Sequence, residues 1–290
     1  MMKRRANLIC LLAFMVKATV LFAAPPQSEI ISYPIYKPET VADSRCVSLS
    51  NDLNRYVLKF IEFHPGGRNP GSFEIRLREP SVYYSFSRPI SDFINLQVDS
   101  LPMRKLSPDF KAMTLFQDEQ QAGVTMPLNF GGKRILLHFY VRSGSPFLFG
   151  RIENPSGKEL GCVQVVFKAC ILKFAGHKPV YQRQAQSAAR QLSQQPEPQN
   201  LQPDDQYLIL ADEKIQPPAD PDAVGPCLLQ WSHAEVQKGT LKLQNQYQTR
   251  IEFELKSAFQ KFEFALLESK RPRSNQEFYN YAKEFLKPFP

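Results

Sequence analysis

The chain has 290 residues, 22% of them charged, with a formal charge of +8. Four basic residues, Lys3, Arg4, Arg5 and Lys17, fall in the first 24 positions, which hold no acidic residue, so the rest carries 32 basic against 28 acidic side chains, or +4. Nucleic-acid binding shows as strong, clustered positive charge, and so small an excess over about 266 residues argues against that class. The densest later cluster, Lys270, Arg271 and Arg273 around Pro272, reads as a solvated loop.

Lys3-Arg4-Arg5, the apolar run Leu8–Val16 and the small residues reaching Ala24 before Pro25-Pro26 have the layout of a secretory signal peptide. Cleavage is expected near Ala23 or Ala24, which makes the mature chain periplasmic or secreted. Lys17 interrupts the apolar run, and a spanning helix needs roughly 20 apolar residues, so an uncleaved anchor is the weaker reading. Cys10 lies too early, behind Ile9, for a lipoprotein site. No later stretch reads as a transmembrane segment. The one sequon-like triplet, Asn154-Pro155-Ser156, is spoiled by its proline, which leans toward a bacterial envelope.

Residues 25–44 are proline-rich and polar, with Tyr33, Pro34, Tyr36 and Pro38, and read as an extended arm, either disordered or laid on a neighbouring surface as an added strand. From 45 to 175 the pattern is β. Phe73, Ile75 and Leu77 alternate with Glu74, Arg76 and Arg78; Ile135, Leu137, Phe139 and Val141 repeat the period, as do Val163, Val165, Phe167 and Ala169. Gly131-Gly132 suits a two-residue hairpin. These runs predict an antiparallel β-sandwich, immunoglobulin-like or jelly-roll-like, with a partly closed barrel as competitor.

Residues 176–226 are rich in Gln and Pro and read as a linker, part helical over Gln182–Gln195. A smaller β module is expected over 227–290: Ile251, Phe253 and Leu255 alternate with charged residues, and Phe262, Phe264 and Leu266 supply a partner strand. A helix is expected over 275–287, because Ser274 and Glu277 form a capping box and Phe278, Tyr281, Ala282 and Phe285 share one face.

Cys46, Cys162, Cys170 and Cys227 are the mature cysteines, and four in an exported chain suggest two disulfides. Cys162 and Cys170 flank one unbroken apolar run. As a strand it separates them by about 26 Å, whereas a disulfide needs Cα atoms within roughly 7 Å. The expectation is therefore that one pairs with Cys46 and the other with Cys227, the alternative being buried thiols.

His64, His138, His177 and His233 form no metal motif, and no cofactor is expected. Asp220-Pro221-Asp222 with Gly225 opens like a calcium loop, but Trp231 stands where a bidentate Glu is required. In Val82-Tyr83-Tyr84-Ser85-Phe86, Tyr83, Tyr84 and Phe86 are candidate glycan or partner contacts, against the plainer reading of a strand buried on one side. Trp231 reads as core beside Leu229.

These readings describe an exported, non-enzymatic structural or adaptor subunit of a bacterial cell-envelope assembly, such as a secretion or surface-organelle complex. Its expected partners are other envelope proteins. A carbohydrate- or peptidoglycan-binding protein is the alternative, and an exported hydrolase the third.

Overall fold

Alternating side chains build more than half of the described residues into strands, because a period of two gives each strand one face to bury and one to leave wet. The structure is a computed structural model and describes residues 24–34, 38–65, 72–79, 84–86, 92–171, 183–212, 226–245, 248–268, 273–287 and 289. The expected signal peptide, Tyr83, His177 and the Asp220–Gly225 stretch lie outside the described residues, apart from Ala24.

The strands begin with β1 (Gln27–Ile30), β2 (Val41–Ser50), β3 (Arg55–Phe63), β4 (Phe73–Leu77), β5 (Tyr84–Ser85), β6 (Ile94–Val98) and β7 (Leu101–Pro102). Next come β8 (Ser107–Pro108), β9 (Thr114–Gln117), β10 (Gln121–Phe130), β11 (Lys133–Arg142), β12 (Leu148–Glu153) and β13 (Val163–Ile171). They continue with β14 (Arg183–Ser187), β15 (Gln191–Gln194), β16 (Gln199–Leu201), β17 (Tyr207–Asp212), β18 (Cys227–Trp231), β19 (Val236–Asn245), β20 (Gln248–Leu255) and β21 (Lys261–Glu268), before helix α1 (Asn275–Lys283).

Two antiparallel sheets result, as the sequence pattern predicts for an all-β sandwich. The first runs β1-β2-β3-β4-β6-β13-β20-β19-β16, and the second β15-β14-β17-β18-β21-β12-β11-β10-β8. One continuous apolar core fills the space between them, from Val47 and Phe60 on one side to Trp231 and Phe253 on the other. Gly131 and Gly132 make the expected hairpin between β10 and β11, with φ of +50° and +75°.

The sequence reading of a sandwich followed by a separate smaller β module does not match the sheet boundaries. β20 pairs with β13 from Val163↔Leu255 to Cys170↔Gln248, and β21 pairs with β12 from Leu148↔Leu266 to Glu153↔Lys261. Strands from residues 45–175 and from 227–268 are therefore neighbours in both sheets and share one core.

The stretch read as a linker with a helix also differs. β14 and β15 form a hairpin in which Ala185 faces Leu192, both buried, while Gln186, Gln191 and Ser193 are exposed. Glutamine occupies the wet positions of a strand here rather than those of a helix. β15 is the edge of the second sheet and β16 the edge of the first, so residues 195–198 cross between the sheets and cover that side of the sandwich. The Leu243 N–H donates to the Gln195 carbonyl at 2.6 Å, and the Thr249 hydroxyl donates to the Gln194 amide oxygen.

Helix α1 has its predicted capping box: the Ser274 hydroxyl accepts from the Glu277 N–H at 3.2 Å, and the Ser274 N–H donates to Glu277 Oε2 at 3.1 Å. Phe278 and Ala282 are buried against Phe147, Leu228 and Leu267 on the outer face of the second sheet. Tyr281 and Phe285 pack at the border of this cluster. The expected helix face closes a core, although that core is a layer outside the sandwich. Among the described residues no helix is long and apolar enough to cross a membrane.

Candidate functional site

No disulfide joins the four cysteines, contrary to the expected bridges. Cys46 lies on β2, four strands from β13 in the first sheet. At about 4.8 Å per strand this is about 19 Å, too far to bond Cys162 or Cys170. Cys162 is exposed just before β13, and Cys170 is buried at its far end, where it accepts from Gln248 Nε2 at 3.5 Å. Cys227 is fully buried in the core; burial, with Glu268 and Cys170 adding, pushes its thiol well above the ordinary range. The intervening strand did come out unbroken, as the Cys162–Cys170 argument requires.

Of the aromatic run, Phe86 is fully buried in the sandwich core, so it cannot present a ring to a glycan. Tyr84 lies on the short strand β5, opposite Ile171. His64 is exposed beside a turn. His138 sits mid-strand, as expected. Its Nδ1 lies 2.9 Å from Thr125 Oγ1 and its Nε2 3.3 Å from Glu153 Oε2. Burial, with Arg151 adding, pulls this imidazole below its ordinary value against the opposing pull of Glu153.

Two features bring distant segments together. The first is the seat of the N-terminal arm. β1 pairs with β2 from Gln27↔Ser50 to Ile30↔Val47, so the arm is an added strand at the edge of the first sheet. On its other side, Ser28 Oγ donates to the Phe116 carbonyl at 3.1 Å, and the Ser28 N–H donates to Gln117 Oε1 at 3.3 Å, tying β1 to β9 of the second sheet.

The arm then crosses the outer face. The Lys59 ammonium donates to the Pro34 carbonyl and stands 4.0 Å from the centre of the Tyr33 ring, while Cys46 is its cross-strand neighbour. Burial brings the Lys59 pKa down to about 8; Cys46 opposes the fall, and Arg78 and Arg76 add to it. Between about pH 8 and the ordinary lysine value near 10.4, the unfolded chain binds a proton that the folded chain does not, so stability rises with pH through this window. Lys59→Met is expected to flatten that rise. Urea denaturation of both chains at about pH 7.5 and about pH 9.5 checks it, and equal slopes contradict it.

The second feature is a cleft of about 390 Å³ at the β16–β19 edge. Trp231 forms its base, packed on Phe253 at 5.0 Å and on His233 at 5.4 Å between ring centroids. Leu201 pairs with Gly239 across the edge. A side chain at Gly239 would begin 3.2 Å from Leu201 and 3.4 Å from the Phe253 ring, so glycine keeps this wall thin. The pairing of β19 with β20 shifts register between Val236 and Lys238, which displaces Gln237 from the ladder. Such bulges re-aim side chains. Asn200, Gln202, Gln237 and Lys238 form an exposed polar rim.

The rim is anchored from below. Asp205 is fully buried and accepts from Arg190 Nη2 at 2.7 Å and from the Gln202 N–H at 2.8 Å; Arg190 Nη2 also donates to the Asn200 carbonyl at 3.0 Å. Burial works against the Asp205 carboxylate, but hydrogen bonds from Arg190, Gln202 and Ser187 hold its pKa below the usual range. The His233 Nε2 atom is buried with no hydrogen-bond partner. Burial lowers the His233 pKa, with Asp205 pulling the other way, so the ring is neutral at pH 7.

Sequence reasoning placed Trp231 correctly in the core but missed the cleft, because its parts come from residues 200–203, 231–239 and 253. The residues that could have hinted at it were the single tryptophan and a histidine two positions on. Among the described residues no group of three or more His, Cys, Asp or Glu side chains is placed to hold a metal ion.

No family model matches the chain, and no curated protein matches it. Solved structures show distant likenesses. A TPR-domain containing protein from Parabacteroides distasonis aligns at 9% identity with a TM-score of 0.45, over 87% of this chain and 56% of that one. The Slr1438 protein from Synechocystis aligns at 9% identity and a TM-score of 0.40, over 81% of this chain and 99% of that one. The GH36 alpha-galactosidase AgaA from Geobacillus stearothermophilus gives 8% identity and a TM-score of 0.35, over 85% and 41%. The chain thus spans about half the length of the first of these and less of the galactosidase. At such identities and scores these likenesses carry no argument about what the chain does.

Proposed function

We propose that this chain is an exported, non-enzymatic adaptor of a cell-envelope assembly, which engages partner proteins along the edge that its N-terminal arm builds. The observation that carries this reading is β1 itself. It is a four-residue edge strand whose Ile30 is 57% exposed, and across the seam Leu115 on β9 is 37% exposed. Exposed apolar side chains at a sheet edge are features on which other chains pair or pack. The signal-peptide layout of residues 1–24 supports the export half of the reading.

The test is a photo-crosslinking residue at Ile30 in the full-length chain, expressed in a bacterial host and probed in fractionated envelope. The expected result is a discrete adduct with one envelope protein, lost when residues 26–29 are deleted and the crosslinking residue is kept. Retention of the chain in the cytoplasm overturns the export half. An envelope-located chain that is monomeric and forms no adduct overturns the adaptor half.

A further inference from the structure

The arm closes the edge of the first sheet but leaves its seam with the second sheet unfinished. The Ile31 N–H donates to the Cys46 carbonyl at 2.9 Å, so Gln27 and Glu29, of the same parity, turn their backbone groups to β2. The Ser28 N–H points the other way, to Gln117, and Ile30 shares its parity. The Ile30 side chain lies opposite Val47, which is fully buried, and so stands on the core side of the sheet. Ile30 is nonetheless 57% exposed. Leu115 repeats the situation on the second sheet: it lies opposite Val124, also fully buried, yet is 37% exposed. Two apolar side chains of core parity are thus left wet at one seam.

The arm is also lightly attached. β1 has four residues, three of them exposed, while β2 beneath it has ten. It precedes every other strand, so it can leave its seat without threading a loop. Ten residues, 31–40, join β1 to β2. Fully extended they reach about 33 Å, whereas the seat at Val47 lies only about 20 Å along β2 from Val41. The strand that fits the β2 edge is residues 27–30 of this sequence, in the register Gln27↔Ser50 to Ile30↔Val47. A second copy carries the identical strand. Exchange of an identical element between copies keeps that element's contacts and is a low-cost route to a dimer.

We propose that a second copy of this chain docks on the seam, each copy laying its arm on β2 of the other, with Ile30 and Leu115 of both copies packed about the two-fold axis. The contacts that hold the arm, from Ser28 to Phe116 and Gln117 and from Lys59 to Pro34, then pass between copies unchanged. What is added is the burial of four apolar side chains, two from each copy, that a single copy leaves wet. The interface is isologous, so one surface serves both partners. It does not depend on the adaptor reading, because the partner is the chain itself.

Glu29 and Ser48 lie opposite each other across β1 and β2. The Cα atoms of such a pair are about 5.5 Å apart, within the disulfide range of about 4.4–6.8 Å. In the full chain carrying Cys46→Ser and Cys162→Ser, three variants are made: Glu29→Cys, Ser48→Cys, and both together. Oxidised in dilute solution, the double variant should close an internal bond. The two single variants, mixed at high concentration and oxidised, should give a covalent heterodimer on a non-reducing gel, and neither should do so alone. Native mass of the parent chain should show a dimer. Ile30→Asp and Leu115→Asp should each raise its dissociation constant about tenfold or more. Leu101→Asp, at a side chain 40% exposed on β7, should leave it unchanged. A bond that forms within the double variant but never between the single variants overturns the exchange, and a bond that forms in neither overturns the pairing on which it rests. A dimer that survives both Asp substitutions, or a chain monomeric at every concentration, overturns the interface. A photo-adduct at Ile30 of twice the chain's mass belongs to this dimer, and an adduct with a different protein to the adaptor, so either reading can fail without the other.

Discussion

Phe264→Ala is expected to cost about 3–5 kcal/mol, a third or more of what holds an ordinary domain folded. Phe264 projects from β21 into the middle of the sandwich and is 1% exposed. Its ring meets Phe167 of the facing sheet edge-on at 4.7 Å, Phe139 at 6.2 Å and Phe262 at 6.2 Å. Removing it takes one partner from both sheets at the place where they interlock. The void should close poorly, because the ring already fills the space above Gly150, where a Cβ would come within 2.1 Å of it. Urea denaturation of the two proteins measures the loss. A cost below about 1 kcal/mol would mean that the two sheets do not depend on this contact.

Arg190→Ala should be the next most damaging change, at about 2–3 kcal/mol. It strands Asp205, whose carboxylate is shut away from solvent, and frees the Asn200 carbonyl. Arg190 itself is 40% exposed, so the figure is set below that of a fully buried pair. The sign with pH follows from the depressed Asp205 carboxyl. Its contribution is present above the ordinary aspartate value near 3.9 and is lost as pH falls through the lower folded value. The variant's deficit should therefore be full at neutral pH and shrink in acid. Denaturation at about pH 7 and about pH 3 checks both statements, and a deficit that grows in acid would refute the clamp.

Those two residues divide what the sequence could and could not show. Phe264 stood in a plain alternation with Phe262 and Leu266, and a period of two is a local property that needs no knowledge of partners. The same holds for Phe73–Leu77, Ile135–Val141 and the Ser274–Glu277 cap. Arg190 and Asp205 lie in the segment read as a linker. In its β14–β15 hairpin the buried apolar positions are only Ala185 and Leu192, set among glutamines, and the burial of Asp205 depends on a cation fifteen residues away. Strand neighbours are not local either. Nothing in residues 148–153 announces that their partner is 261–266. The cysteine expectation failed for the same reason: the strand between Cys162 and Cys170 was visible, but the three strands that separate Cys46 from it were not. The cleft needed that long-range information three times over.

The interleaving of the two sheets fixes an order of events in folding. β12 and β13 lie at the middle of the chain, yet each has a side that is paired only by β21 and β20, from its last fifth. Until those segments exist, both half-built sheets end in raw, unpaired backbone at the centre of the future molecule. Closing such distant pairings is slow, since a long loop must be ordered before any contact rewards it. The chain should therefore stay loose through most of its synthesis and collapse late, in a single step, once residue 268 is free to enter.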